Sequence, residues 1–224
     1  MLKAKKKYTK KELKQDQFIM ATMKAKSFLE ENARLLAYIG AGIVAVILLV
    51  VFYINSKKSA EQDAARLLST AQEQIRNGEK DNGLASFKEI VEQYGSTPAG
   101  GHAAFFLGKL YWEDGDSDQA KTYFGSFIDN HAGKNIMTQA AYAGYADCFF
   151  KEKNYKEAAQ NYEKAANADP DFPLAANYLL SAAQAYKDAG NFAKAKTLSK
   201  KIIDDFNNPT LKSRAEVLLE SLSL

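Results

Sequence analysis

Residues 106–127 have the sequence FLGKLYWEDGDSDQAKTYFGSF, in which two apolar stretches flank the polar break EDGDSD. The apolar residues recur at helical spacing, and the Gly and Asp residues of the break are typical of a tight turn. Gly108 stands three residues before Tyr111, and Ala120 stands four residues before Phe124. The small residues let two helices approach closely, and the aromatic residues fill the space beside them. The stretch therefore predicts two helices joined by a short turn.

The same pattern recurs along the chain. Further breaks have the sequences RNGEKDNG, KEKNY and KDAGN, and the chain has only four prolines and no alternating runs of β-branched residues. The small residue of the second helix recurs at steps of 37, 38 and 37, as Gly83, Ala120, Ala158 and Ala195. A repeat of this length predicts helix pairs that bury their apolar faces against their neighbours. A helical bundle without repeats is the alternative.

This pattern resembles tetratricopeptide repeats over roughly residues 64–209. The resemblance implies an all-α fold, an α-solenoid of helix pairs, with units near 64–97, 101–134, 139–172 and 176–209. Apolar residues at helical spacing after the last unit predict a C-terminal capping helix over 210–222, through Leu211, Ala215, Leu218 and Leu222. The glycine-rich segment GSTPAGGH at 95–102 lacks the spacing of a phosphate-binding loop, so we interpret it as a loop between repeats.

Residues 35–56, LLAYIGAGIVAVILLVVFYINS, contain no charged residue. A helix of this length is about 33 Å long, which is enough to cross a hydrocarbon core of about 30 Å. The run is too long for a typical signal peptide and lacks a small-residue cleavage site, so we predict one uncleaved N-terminal transmembrane helix. A buried core helix and a cleaved signal peptide are the alternatives. A small-residue face at four-residue spacing makes Ala37, Ala41 and Ala45 candidates for contact with another membrane helix.

Charge on the two sides of this run predicts its orientation. Residues 1–34 contain ten Lys and Arg and four Asp and Glu, a net charge of +6, whereas the rest of the chain has 20 basic and 23 acidic residues. The positive-inside rule keeps the basic tail, 1–34, in the cytoplasm, where we expect it to be partly helical. Residues 57–224 then form the exported repeat domain, which in a bacterium lies in the periplasm.

The order of segments along the chain indicates a resemblance to one group of repeat proteins. The segment FLEENARLL, with Phe28, Glu31 and Asn32, precedes the single span, and the repeats follow it. This arrangement resembles the membrane-anchored ancillary subunit of the bacterial Sec translocon. The resemblance implies a single-pass protein of the inner membrane, with its N-terminus in the cytoplasm and its repeats in the periplasm. Its implied partners are translocon subunits, a periplasmic chaperone and secretory chains.

The sequence shows no catalytic constellation, cofactor motif or metal-ligand cluster. Neither His102 nor His131 lies in an H-E-x-x-H motif or a Cys/His cluster, and Cys148 lies on an apolar helix, where we expect a buried, inert thiol. We interpret the run KAKKKYTKK as a topology signal rather than a nucleic-acid site. The sequence therefore predicts a protein-binding module that is not an enzyme and binds no cofactor. A structural scaffold that links cell-envelope proteins without binding client chains is the alternative.

In tetratricopeptide arrays the first helix of each pair lines a concave groove. By repeat position, the resemblance assigns to this groove the candidates Phe105, Lys109, Trp112, Glu113, Phe150, Leu180 and Gln184. The same repeat positions also give Leu68, Gln72, Ile75, Arg76, His102, Phe106, Asp147, Lys151, Asn177 and Lys187. Phe105 and Trp112 are seven residues apart on one helix face, with Lys109 between them. The alternative for these two aromatics is packing against the preceding repeat.

Overall fold

The computed structural model describes the backbone of residues 10–222 and the side chains of residues 19–222. Within this part the chain is all α-helical and has no β-strand, which confirms the predicted fold class. The helices are α1 (Lys10–Glu31), α2 (Ala33–Arg76), α3 (Lys80–Tyr94), α4 (Pro98–Glu113), α5 (Ser117–His131), α6 (Ile136–Lys151), α7 (Tyr155–Ala168), α8 (Ala175–Asp188), α9 (Phe192–Asp205) and α10 (Pro209–Glu220).

The chain divides into two compact units, residues 1–56 and 57–224. In the first unit, the apolar side chains of α1 do not gather on one face of the helix, and Met20, Met23 and Phe28 are exposed. Helix α2 begins at Ala33 and continues for 44 residues. Among the described residues it is the one helix long and apolar enough to cross a membrane, by length and composition, and none of its most apolar window is buried.

The second unit is built from successive helix pairs. The C-terminal part of α2 pairs with α3, and the pairs α4–α5, α6–α7 and α8–α9 follow. From α3 to α10 each helix packs against the next along the chain, the first helices α4 and α6 of neighbouring pairs also meet, and the capping helix α10 contacts α8. Helix α10 covers the last pair through Leu211, Ala215 and Leu218. The result is a solenoid with three successive clusters of buried apolar residues, each formed by neighbouring helix pairs.

The periodic small residues lie where the paired helices cross. Ala120, Ala158 and Ala195 are fully buried, and Gly83 is buried at the same position of the first pair. A Cβ atom on Gly83 would lie 2.5 Å from Cδ1 of Ile75. Glycine therefore replaces alanine in this pair because the isoleucine of α2 fills the space that a methyl group would need.

A left-handed residue ends the first helix of every pair. Gly78, Gly115, Lys153 and Gly190 have φ angles of 84°, 84°, 64° and 76°. In each turn the next residue donates its amide to a carbonyl five positions earlier, as Asn154 does to Phe149 at 2.9 Å. These are Schellman turns, which favour glycine because it has no Cβ atom to clash. The turns reverse the chain so that the second helix packs back on the first.

The glycine-rich segment 95–102 forms a loop between repeats only over residues 95–97, and residues 98–102 are helical, which corrects part of the sequence interpretation. Helix α4 begins at Pro98, because Thr97 caps it by accepting the Gly100 amide at 3.0 Å and proline is favoured in a first helical turn. A Cβ atom on Gly100 would lie 2.1 Å from the Tyr94 carbonyl oxygen, and one on Gly101 would lie 2.5 Å from the His131 ring. The glycines therefore serve close helix packing.

Candidate functional site

The first-helix face of the repeat domain carries two separate cavities. The α2–α4 cavity, of about 530 Å³, lies between the first helices of the first two pairs. The α6–α8–α10 cavity, of about 230 Å³, lies at the other end of the same face. Five of the seven groove candidates, Lys109, Glu113, Phe150, Leu180 and Gln184, line one or the other.

The α2–α4 cavity combines an apolar floor with charged walls. Phe87 and Phe106 stack in its floor, with their ring centroids 5.6 Å apart. Lys109 and Glu113 lie on its α4 wall and form an ion pair of 3.7 Å. The full lining is Ser69, Gln72, Ile75, Arg76, Phe87, Phe106, Lys109, Leu110 and Glu113. An apolar side chain of a ligand can therefore be buried here while its backbone faces polar groups.

The α6–α8–α10 cavity contains the other three placed candidates, Phe150, Leu180 and Gln184. Tyr162, Ser181, Arg214 and Leu218 complete its lining. Phe150 is fixed by an edge-to-face contact with Tyr155, with the ring centroids 5.1 Å apart. Gln184 donates its amide to both carboxylate oxygens of Asp188, at 3.0 and 3.2 Å. This cavity also has apolar walls and polar groups at its edges.

A buried acid supports the wall of the second cavity. Tyr162 donates its hydroxyl to Oδ1 of Asp147. Burial raises the pKa of Asp147, and the hydrogen bond from Tyr162 opposes this effect. Burial also raises the pKa of Tyr162, as does its hydrogen bond to Asp147. The pair holds the tyrosine ring against the cavity, so Asp147 positions a lining residue.

Phe105 and Trp112 pack toward the helices that follow α4. The Phe105 ring contacts Phe124 and Phe127 of α5 at centroid distances of 6.0 and 5.9 Å. Trp112 packs against the same cluster, and Nζ of Lys151 lies 5.3 Å from its ring centroid. Both side chains are half-buried. The contacts named above are with α5 and α6, whereas the alternative predicted packing against the preceding repeat. Their part in ligand binding stays a prediction.

The sequence reasoning missed several lining residues. Arg214 and Leu218 belong to α10, for which the sequence predicts only a capping helix. Phe87 and Tyr162 belong to second helices, yet their side chains reach the first-helix face. For Arg214 the sequence carried no signal, because a charged residue between the apolar positions of a capping helix is expected on its solvent-exposed face.

The two histidines, His102 of α4 and His131 of α5, line one cavity of about 490 Å³ beside Phe127 and Met137. The ring nitrogen Nε2 of His131 lies 2.7 Å from the Gly95 carbonyl oxygen, which joins the ends of α5 and α3. Cys148 is buried, as predicted, and burial raises the pKa of its thiol to about 12. A thiol with this pKa is a poor nucleophile at neutral pH.

The proposed membrane contact face lies on α2. Ala37, Ala41 and Ala45 are exposed, and Gly40 and Gly42 have open space beside them. The small residues therefore leave this part of α2 free to approach another helix, and whether they do so stays a prediction.

Comparison with known proteins agrees with this architecture. The family model described as "Tetratricopeptide repeat-like domain" matches residues 26–172, about two thirds of the chain. The chain belongs to this family. A second model, "Tetratricopeptide repeat", matches residues 149–213. Proteins of this kind generally mediate protein–protein interactions, and their fold is typically a non-catalytic scaffold.

Solved structures show the same fold. A tetratricopeptide repeat protein from Parabacteroides merdae aligns with a TM-score of 0.60 at 16% identity, over 72% of this chain and 60% of that one. A protein from Podosopora anserina with nearly identical TPR-like repeats aligns with a TM-score of 0.53 at 14% identity, over 73% of this chain and 94% of that one. At these identities the likeness concerns the fold alone. No curated protein matches the chain.

Proposed function

We propose that this chain is a membrane-anchored protein-binding module that assists protein export. The observation that carries the proposal is the pair of apolar-floored cavities on the first-helix face. Each offers buried apolar surface next to polar groups, which suits extended or partly folded polypeptide. Weak, broad binding is expected, because a mobile client loses conformational entropy when it becomes ordered.

The location of the module is part of the proposal. Residues 35–56 of α2 are the membrane anchor, the basic tail stays in the cytoplasm, and residues 57–224 lie in the periplasm of a bacterium. The apolar composition of α2 and the net charge of +6 before it support this orientation. Residues 1–9 of the tail lie outside the described part of the chain. The partners are translocon subunits, a periplasmic chaperone and secretory chains.

Topology is tested with a reporter enzyme that is active only after export, fused behind Leu224. We expect activity together with an intact N-terminus, because the anchor is not cleaved. An inactive reporter, or a mature protein that begins after Ser56, would contradict the anchor.

Client binding is tested by photo-crosslinking in cells, with the crosslinking residue placed at Lys109 or Gln184. The control position is Lys200, which is exposed on the second-helix side in α9. We expect translocon subunits and newly exported chains to be captured from the two cavity positions and not from the control. Capture of a single folded envelope protein and no client chain would instead support the scaffold function.

A further inference from the structure

A third depression, the α8–α10 cleft, adjoins the second cavity and has an unusual charge. It has a volume of about 330 Å³ and lies between the last first helix and the capping helix. Lys187 and Arg214 line it, together with the polar side chains of Ser213, Ser221 and Gln184. No Asp or Glu is among its lining residues. The cleft therefore presents two positive charges and several hydrogen-bonding groups without an acid in its wall.

Neither cation has a carboxylate partner within the described part of the chain. Nζ of Lys187 donates to Oγ of Ser221 at 2.8 Å, which satisfies one of its protons but leaves its charge uncompensated. Arg214 is exposed and forms no ion pair with any residue that the structure describes. The nearby carboxylate of Asp188 accepts from Gln184 instead. By contrast, Lys109, Lys121 and Lys194 each pair with an acid on their own or a neighbouring helix.

The position of Arg214 connects this charge to the proposed groove. Arg214, Gln184 and Leu218 line both the cleft and the α6–α8–α10 cavity. An anionic group at the guanidinium therefore lies next to the apolar wall formed by Phe150 and Leu180. Guanidinium groups bind carboxylates well, because their planar donors match the two oxygens.

We propose that the α8–α10 cleft binds the acidic side chains of a polypeptide segment whose neighbouring apolar side chains enter the α6–α8–α10 cavity. This inference rests on the proposed function and names the chemistry of the client. Two cations are too few to hold a nucleic acid, which is bound through many phosphate contacts. The net charge of residues 57–224, with 20 basic and 23 acidic residues after residue 34, also opposes a polyanion or an anionic membrane surface.

The test measures the affinity of the purified full-length chain for short fluorescent peptides by anisotropy. One peptide carries two adjacent glutamates between Leu and Phe residues, and its C-terminus is amidated so that only side-chain carboxylates are available. The matched peptide has glutamine in place of both glutamates. Both are measured against the unaltered chain, Arg214→Ala, Arg214→Lys and Lys200→Ala. Lys200 is exposed on α9, so its substitution removes one charge away from the cleft.

We expect the glutamate peptide to bind on the order of tenfold more tightly than the glutamine peptide. Arg214→Ala should remove most of this preference, which is measured as the ratio of the two affinities so that any effect on the apolar contacts shared by both peptides cancels. Arg214→Lys should retain part of the preference, and Lys200→Ala should retain all of it. Thermal unfolding of Arg214→Ala should match that of the unaltered chain, because Arg214 is exposed.

Equal binding of the two peptides by the unaltered chain would overturn the inference and leave the proposed function intact. A preference for glutamate that is undiminished in Arg214→Ala would also overturn it. Failure to bind either peptide would overturn both the inference and the client-binding function.

Discussion

Lys153 is the one non-glycine residue with a positive φ angle among the described residues. It stands where the other first-helix turns have Gly78, Gly115 and Gly190, and its side chain is exposed. A residue with a Cβ atom costs about 1–2 kcal/mol in the left-handed region, and glycine avoids this cost. Glycine also gives the unfolded chain more entropy, which lowers the free energy of unfolding by about 0.4–1 kcal/mol. Lys153→Gly should therefore stabilise the repeat domain by about 1 kcal/mol.

The measurement is urea unfolding of the full-length chain, followed by circular dichroism. A gain of about 1 kcal/mol corresponds to a rise in Tm of about 2–4 °C for a domain of this size. Gly190→Lys should shift stability in the opposite direction, because it introduces the same strain at the equivalent turn. Gln160→Gly, at an exposed position within α7, should cost about 1 kcal/mol, as glycine does within a helix. If Lys153→Gly lowers stability as Gln160→Gly does, the argument from the left-handed turn is wrong.

Three other substitutions test the packing of the domain. Ser199 is fully buried and its hydroxyl has no partner among the described residues, so Ser199→Ala should stabilise by about 1 kcal/mol in denaturant unfolding. Burial raises the pKa of Asp147, so the free energy of unfolding falls as pH rises through that pKa and the carboxyl ionises. Asp147→Asn removes this ionisation, so it should raise Tm at neutral pH and weaken the dependence of Tm on pH in the acid range. Trp112→Ala should cost about 3 kcal/mol of unfolding free energy, and a loss of peptide binding at unchanged Tm would contradict its packing role.

The helix pairs could be predicted from the sequence because their determinants are local and periodic. Gly83, Ala120, Ala158 and Ala195 are buried where paired helices cross, as their spacing indicates. The turns were also visible as polar breaks. The left-handed residue of each turn could not be predicted in the same way, because the third repeat has Lys153 where the other repeats have glycine.

The details of the groove depend on helix rotation, which the sequence does not determine. Phe105 and Phe106 are both apolar and stand about 100° apart on α4. The pattern could not decide which one faces the α2–α4 cavity, and the structure places Phe106 there while Phe105 packs on α5. Arg214 was missed for a different reason. Its neighbours in space, Leu180 and Gln184, are about thirty residues away in sequence, so no local pattern connects them.

Helix α10 ends the stack, and it packs on α8 and α9 with no further pair beyond it among the described residues. In a linear array of repeats, the terminal element is the first to open in local unfolding, since it has neighbours on one side only. The α8–α10 cleft exists only while this helix is docked. Any ligand held there must therefore also oppose fraying of the array, so amide hydrogen exchange in α10 would report occupancy without a label on the ligand.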